Sequence, residues 1–243
     1  MAAMTWTRDP RTVIDEAGAE LATACGEALR SLVVYGSAAG DEFDPERSDV
    51  NLAVVLDPCD GSHLRRIAQW WVRWRAMRLA APLVLSVREL ERSRDVFPLE
   101  LLDLRARHRT LVGSEAFADL VVEPEAVREE CEREAKGKLF RLRGLYVELS
   151  GDAEALHRLM LDSRKTFLFV IRGLLYLRGE PWHTGAVGAV RAFERQFACA
   201  LPVLAGLGET AAPGAIDDRF AAYLAEISAL ADVADREATG PTA

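Results

Sequence analysis

Apolar and polar positions follow two different patterns along the chain, and the change falls near residue 120. The first part has short, β-branched apolar runs that are bounded by Gly, Pro or Asp, a pattern that predicts buried strands. These predicted strands are residues 32–35, 49–56, 82–87 and 97–104. Apolar residues at helical spacing predict helices at 12–30 and 63–80, with a short helix at 88–94.

The second part has apolar residues at helical spacing throughout, interrupted by turn signals such as Gly151-Asp152. The predicted helices are residues 125–149, 153–178, 185–204 and 216–235. The sequence therefore predicts an α/β (α+β) domain with a mixed sheet over residues 1–120, followed by an all-α helical bundle domain over residues 121–243.

The overall charge restricts the partners that this chain is expected to bind. A net charge of −8 and a pI near 5.2 argue against a strongly basic nucleic-acid-binding surface. The four cysteines are scattered and form no CxxC pair, which argues against zinc. Neither an apolar leader nor an uncharged stretch of bilayer length is present, so we expect a cytoplasmic protein with no membrane contact.

Polar residues with recognisable chemistry cluster around the first two predicted strands. Gly36 and Ser37 follow the first strand, where a glycine permits close backbone approach and a hydroxyl can donate to phosphate. Asp49 and Asn51 lie at i and i+2 on the second strand, so their side chains share one face. Oxygen ligands of this kind suit Mg²⁺, and the pattern predicts a metal–triphosphate site.

Phosphoryl chemistry with two metal ions needs a third acidic residue, and the predicted strand 97–104 contains two candidates. Glu100 and Asp103 are three positions apart and would face opposite sides of a strand. We favour Glu100 as the metal ligand and as the general base toward an acceptor hydroxyl, with Asp103 as the alternative.

The segment GSAAGDEFDPERSDVNLAVVL, with the later run PLELLDLRARHRTLVG, resembles the nucleotidyltransferase superfamily that includes DNA polymerase beta. It is most similar to the bacterial group that joins a minimal nucleotidyltransferase domain to a helical C-terminal domain, as in streptomycin- and kanamycin-type adenylyltransferases. Gly36, Ser37 and Asp49 match the motif of that family, and Glu100 is the match to its third acid.

The resemblance implies a Mg²⁺-dependent transfer of a nucleoside monophosphate from an NTP, with ATP preferred, to a hydroxyl acceptor. The acceptor, whether a small molecule, protein or RNA, and the oligomeric state are not implied. The resemblance also implies that the helical domain sends a basic residue toward the triphosphate, for which Lys165 is the candidate. In the family the residue at Asn51 is a second Asp that bridges both metals.

The amide at Asn51 is expected to impair a two-ion site that Asp49, Asn51 and Glu100 would form. Charge-assisted contacts are roughly twice as strong as neutral ones, and the loss can reach about a thousandfold in rate. The protein is therefore either a slow nucleotidyltransferase or a degenerate fold that binds a nucleotide or a partner, as antitoxins do. A further alternative is RNA cleavage by Arg178 and His183, which have the spacing found in HEPN ribonucleases.

Overall fold

The computed structural model describes residues 8–40, 43, 48–182, 185–207 and 216–239. These residues fall into two compact units. The first unit contains the described residues of 1–96 and 101–121, and the second contains 97–100 and the described residues from 122 onward. None of the helices in the described part is both long enough and apolar enough to cross a bilayer.

The helices and strands up to residue 113 build a sheet with helices around it. In chain order they are α1 Pro10–Cys25, β1 Leu29–Tyr35, β2 Asn51–Leu56, α2 Gly61–Trp74, β3 Leu83–Ser86, α3 Val87–Arg92, α4 Pro98–Ala106 and β4 His108–Gly113. Short 3₁₀ turns follow β1 at Gly36–Ala39 and α2 at Arg75–Met77. The division between the two units runs through α4, whose first residues up to Glu100 belong to the second unit.

The sheet has the strand order β3-β2-β1-β4. Strand β1 is antiparallel to both β2 and β4, whereas β2 and β3 are parallel, so the predicted mixed sheet is confirmed. One sheet face supplies Leu32, Val34, Leu52 and Val54 to an apolar core that also contains Trp70 of α2. Helix α1 contributes Ile14, Ala17 and Leu21 to the same core.

The prediction of a strand at residues 97–104 is wrong, because these residues form helix α4. Pro98 is the first residue of that helix, a position where its fixed φ and missing N–H are favourable. A short apolar run does not distinguish a buried strand from a buried helix by periodicity alone. The fourth strand is β4, which directly follows α4.

The described part of the second unit from residue 124 onward contains helices and no strand, as the sequence predicts. Its helices are α5 Pro124–Leu149, α6 Ala153–Leu177, α7 Ala186–Phe197, α8 Pro202–Ala205 and α9 Ile216–Thr239. Helices α5, α6 and α9 pack against one another, and a buried hydrogen bond of 2.7 Å joins Ser163 Oγ of α6 to the Tyr223 hydroxyl of α9. The predicted helix 185–204 is divided at Ala198, which has a φ of 50°.

We expect Gly173→Ala to destabilise the second unit, because a Cβ there would lie 2.5 Å from both Cys131 Sγ and Leu99 Cδ2. Both neighbours are buried, and overpacking costs about 1–3 kcal/mol, more than the roughly 1 kcal/mol that alanine gains over glycine in a helix. The matched control is Gly144→Ala in α5, where a Cβ meets nothing within 4 Å. Chemical denaturation should show a lower free energy of unfolding for Gly173→Ala and a higher one for Gly144→Ala.

Candidate functional site

The Gly-Ser turn at the end of β1 lies beside the start of β2. Gly36 has a φ of 74°, which explains the glycine, and its N–H donates to the Arg107 carbonyl at 3.0 Å. The preceding residue, Tyr35, is the register partner of Asn51. A Cβ on Gly36 would lie 3.5 Å from Asn51 Nδ2, so the turn and the Asn51 amide are neighbours.

The side chains of Asp49 and Asn51 project away from the core that α1 and α2 cover. Val50, between them, is fully buried and belongs to that core together with Leu52. Because side chains alternate along an extended chain, Asp49 and Asn51 lie on the opposite side. The Asp49 side chain is 64% exposed and Asn51 is half-buried.

Two polar side chains at this place have no protein hydrogen-bond partner among the described residues. They are the Ser37 hydroxyl, in the 3₁₀ turn, and the Asn51 amide, at the start of β2. A hydroxyl is both donor and acceptor, and an amide offers two N–H groups and one oxygen. The turn therefore presents groups that can bond phosphate oxygens or a polar ligand.

The carboxylate of Asp49 is paired with an arginine that the sequence analysis did not single out. Arg78 Nε lies 3.4 Å from Asp49 Oδ1. The Arg78 carbonyl accepts from the Val50 N–H at 3.0 Å, which places the two residues side by side. No sequence signal indicates this pairing, because residues 49 and 78 are brought together by the pairing of Val50 with Leu79 alongside β2.

The strand next to β2 carries no acidic residue. In the parallel pairing of β2 with β3, Ala53 is the partner of Leu83 and Val55 is the partner of Leu85. Register partners point to the same sheet face, so these leucines share the face of Asn51. Strand β3, which lies on the side of β2 opposite β1, therefore contributes apolar side chains to the Asn51 face.

Asp103, the alternative third acid, has a structural role in the first unit. It is 5% exposed and its carboxylate accepts from Arg107 Nε at 2.9 Å and from Arg107 Nη2 at 2.7 Å. The Arg107 carbonyl in turn holds the Gly36 N–H. Burial, and secondarily the Asp103 charge, raises the pKa of Tyr35 above its ordinary value. The Asp103–Arg107 pair thus holds the residue whose carbonyl binds the Gly36 N–H, and so stabilises the Gly-Ser turn.

Glu100, the favoured third acid, lies on a helix rather than on the predicted strand, and it belongs to the second unit, whereas Asp49 and Asn51 belong to the first. Within the second unit Glu100 lines a small cavity of about 150 Å³. The other lining residues are Leu99, Glu134, Lys165, Thr166 and Phe169. The structure thus places Glu100 beside Lys165, the residue predicted to contact the triphosphate.

The cavity that Glu100 and Lys165 line is acidic. It contains two carboxylates, Glu100 and Glu134, against the single ammonium of Lys165, whose Nζ lies 5.9 Å from the centre of the Phe169 ring. Burial raises the pKa of nearby Glu130; Arg133 opposes the rise, and Glu100 and Glu134 add to it. This charge balance, in a volume below the roughly 300–1,000 Å³ of typical ligand pockets, disfavours a triphosphate there.

Two other basic residues of the second unit, Lys136 and Arg178, are engaged in ion pairs. Lys136 Nζ lies 2.6 Å from Glu132 and is also paired with Asp235, and Arg178 Nε donates to Glu237 at 2.9 Å. These contacts fit solvated helix faces better than a phosphate site. His183, the second residue of the predicted ribonuclease pair, lies outside the described residues.

The described donors of the Asp49–Asn51 segment do not by themselves fit the two divalent cations that the resemblance implies. Asp49 is the single carboxylate of the Asp49–Val50–Asn51 segment, and it is paired with Arg78. The neighbouring strand presents Leu83, and no group of three or more His, Cys, Asp or Glu side chains within the described ranges is arranged to hold a metal ion. Mg²⁺ prefers hard, charged oxygen ligands, of which this segment offers one.

Comparison with known proteins identifies the fold. No protein-family model and no curated protein matches the chain. The structure of the spectinomycin adenyltransferase AAD(9) from Enterococcus faecialis with ATP and spectinomycin is similar, with a TM-score of 0.57 and 12% sequence identity. The match covers 93% of this chain and 100% of that chain. At this identity the likeness shows the fold alone, a mixed sheet with helices followed by a helical part.

We expect Asp103→Ala to lower the free energy of unfolding by about 3–5 kcal/mol, because it leaves Arg107 buried without its charge partner. The Arg107 side chain is 14% exposed. Thermal and urea unfolding, followed by circular dichroism, measure the effect. The control is Asp49→Ala, whose exposed ion pair contributes less than about 1 kcal/mol. An Asp103→Ala protein as stable as the wild type would contradict the structural role of Asp103.

Proposed function

We propose that the first unit binds a nucleoside triphosphate, with ATP as the first candidate, where Gly36, Ser37, Asp49 and Asn51 lie together. We further propose that it transfers the nucleoside monophosphate slowly to a hydroxyl acceptor. The observation that carries the proposal is the Gly-Ser turn next to the two outward-facing side chains, on a nucleotidyltransferase fold. The AAD(9) structure, which contains ATP, supports the choice of nucleotide.

Each residue of the turn has a role in binding that follows from its chemistry. Gly36 allows a phosphate to approach the backbone, and the Ser37 hydroxyl donates to a phosphate oxygen. The Asn51 amide donates to a second phosphate oxygen or accepts from the acceptor hydroxyl. These contacts hold the triphosphate in one orientation, which is the contribution to catalysis that positioning supplies.

The proposed transfer is slow because the site neutralises little of the charge that develops on the phosphoryl group. Phosphoryl transfer depends on positioning and on electrostatic stabilisation of the equatorial oxygens. Asp49 is a lone carboxylate on its segment, and Asn51 is neutral. Glu100, proposed as metal ligand and as acceptor of the hydroxyl proton, belongs to the second unit, and its part in the reaction remains a prediction, as does the phosphate contact by Lys165.

A second candidate function is nucleotide or partner binding without transfer. The ion pair between Asp49 and Arg78 favours it, since the Arg78 guanidinium lies next to the carboxylate that would otherwise coordinate a metal. In this case nucleotide binds and no product forms. The two functions share the binding step. They differ in the wild-type turnover: Asn51→Asp would raise an existing turnover in the first case and could only create one in the second.

We expect Asn51→Asp to raise nucleotidyl transfer by about tenfold or more, because it adds the second charged oxygen ligand for Mg²⁺. Product is measured with radiolabelled NTPs, Mg²⁺ and a panel of hydroxyl acceptors. Asp49→Ala in the Asn51→Asp background should abolish the gain, which shows that it arises at this site. If neither the wild type nor Asn51→Asp transfers nucleotide from any NTP, the transfer activity is excluded and binding alone remains.

We expect Ser37→Ala to weaken ATP binding about ten- to a hundredfold, because a hydrogen bond to a charged group contributes about 1.5–3 kcal/mol. Isothermal titration calorimetry measures the dissociation constant. Ser93→Ala is the matched control, since Ser93 follows α3 and is separate from the turn. Equal affinity of Ser37→Ala and wild-type protein for ATP would place the phosphates elsewhere.

A further inference from the structure

We propose that Arg78 supplies the positive charge for the polyphosphate at this site, so that the first unit binds a nucleoside triphosphate without a divalent cation. This inference rests on the proposed nucleotide binding and adds the residue that neutralises the ligand. It follows from the position of Arg78, from its backbone conformation and from the charge balance around Asp49.

The backbone holds Arg78 against the segment that carries the candidate ligands. The Arg78 carbonyl accepts from the Val50 N–H at 3.0 Å, and the Ala80 N–H donates to the Val50 carbonyl at 2.9 Å. Val50 is the residue between Asp49 and Asn51, so these two bonds place Arg78 beside both. The location of the guanidinium is thus determined by main-chain pairing as well as by its own ion pair.

Arg78 has a left-handed backbone conformation, with φ 56° and ψ 24°. For a residue with a Cβ this conformation costs roughly 1–2 kcal/mol, and glycine or asparagine is usual there. The turn is stabilised from α2, because Trp71 Nε1 donates to the Leu79 carbonyl at 3.2 Å and Arg75 lies over the Trp71 ring at 5.7 Å. Backbone preference therefore does not explain an arginine at position 78, whereas a role for its side chain does.

The charges at the site favour a polyanion over a divalent cation. Among the described residues at this place, Asp49 and Arg78 have opposite charges, Asn51 is neutral, and the adjacent strand presents Leu83. A dication gains little from a carboxylate that a guanidinium already neutralises. A triphosphate gains more, since arginine binds phosphate oxygens through paired N–H groups and is always charged.

The contact between Arg78 and Asp49 is long for an ion pair. Its N–O distance is 3.4 Å, and the side chains of Arg78 and Asp49 are 25% and 64% exposed. The guanidinium is permanently charged, so it attracts a polyanion at this place whether or not the Asp49 contact persists.

Calorimetric titration with ATP, in EDTA and in excess Mg²⁺, tests the inference. We expect wild-type protein to bind ATP with dissociation constants within about threefold of each other in the two conditions. Arg78→Gln should weaken binding in EDTA by about tenfold or more, and Arg78→Lys, which keeps the charge, should lose less. Arg73→Gln is the matched control and should bind as the wild type does, because the exposed Arg73 of α2 pairs with Glu20 instead.

Arg78→Gly separates a loss of binding from a loss of folding. Glycine suits the left-handed conformation, so this variant should unfold at a temperature at least as high as the wild type while losing ATP binding in EDTA. Wild-type binding only in Mg²⁺, or full binding by Arg78→Gly in EDTA, would overturn the role of Arg78 and leave the proposed function intact. Absence of ATP binding in both conditions would overturn the proposed function itself.

Discussion

The burial of Val50 determines what the first unit can present at the start of β2. Val50 is fully buried in the core with Leu52, and this commits the two residues that flank it to the opposite side. The same residue forms the main-chain bonds that bring Arg78 alongside. One apolar side chain therefore sets the orientation of Asp49 and Asn51 and the identity of their charged neighbour, and a shift of register by one residue would bury both polar groups.

Most of the fold follows from apolar periodicity. The strands that contain Val33 and Val54 and the long helices of the second unit have unambiguous patterns, and the structure confirms them. Residues 97–104 are the exception, because Leu99, Leu101, Leu102 and Leu104 are all buried and the run fits either element. Strand β4 is difficult to predict from the sequence because it is short and polar at several positions.

The candidate site is predictable only where it is local in sequence. Gly36 and Asn51 flank one antiparallel pairing, so the motif and its spacing suffice to place them together. Motif spacing does not predict the position of Arg78, because that position depends on the path of the chain after α2 and on an unusual φ. The error over residues 97–104 likewise placed Glu100 on a strand beside Asp49, whereas the structure assigns it to a helix of the second unit.

An arginine and a metal ion differ in what they can do for a phosphoryl group. Both neutralise charge, but a guanidinium is permanently attached, permanently charged and independent of metal supply. It cannot lower the pKa of a hydroxyl by coordination, which is how a metal generates a nucleophile. In the site that we propose, Arg78 would therefore contribute affinity for nucleotide without the power of a metal to activate the acceptor. Binding and chemistry, which two metals would couple, would become separable there, and Asn51 is the position at which the proposal places the difference.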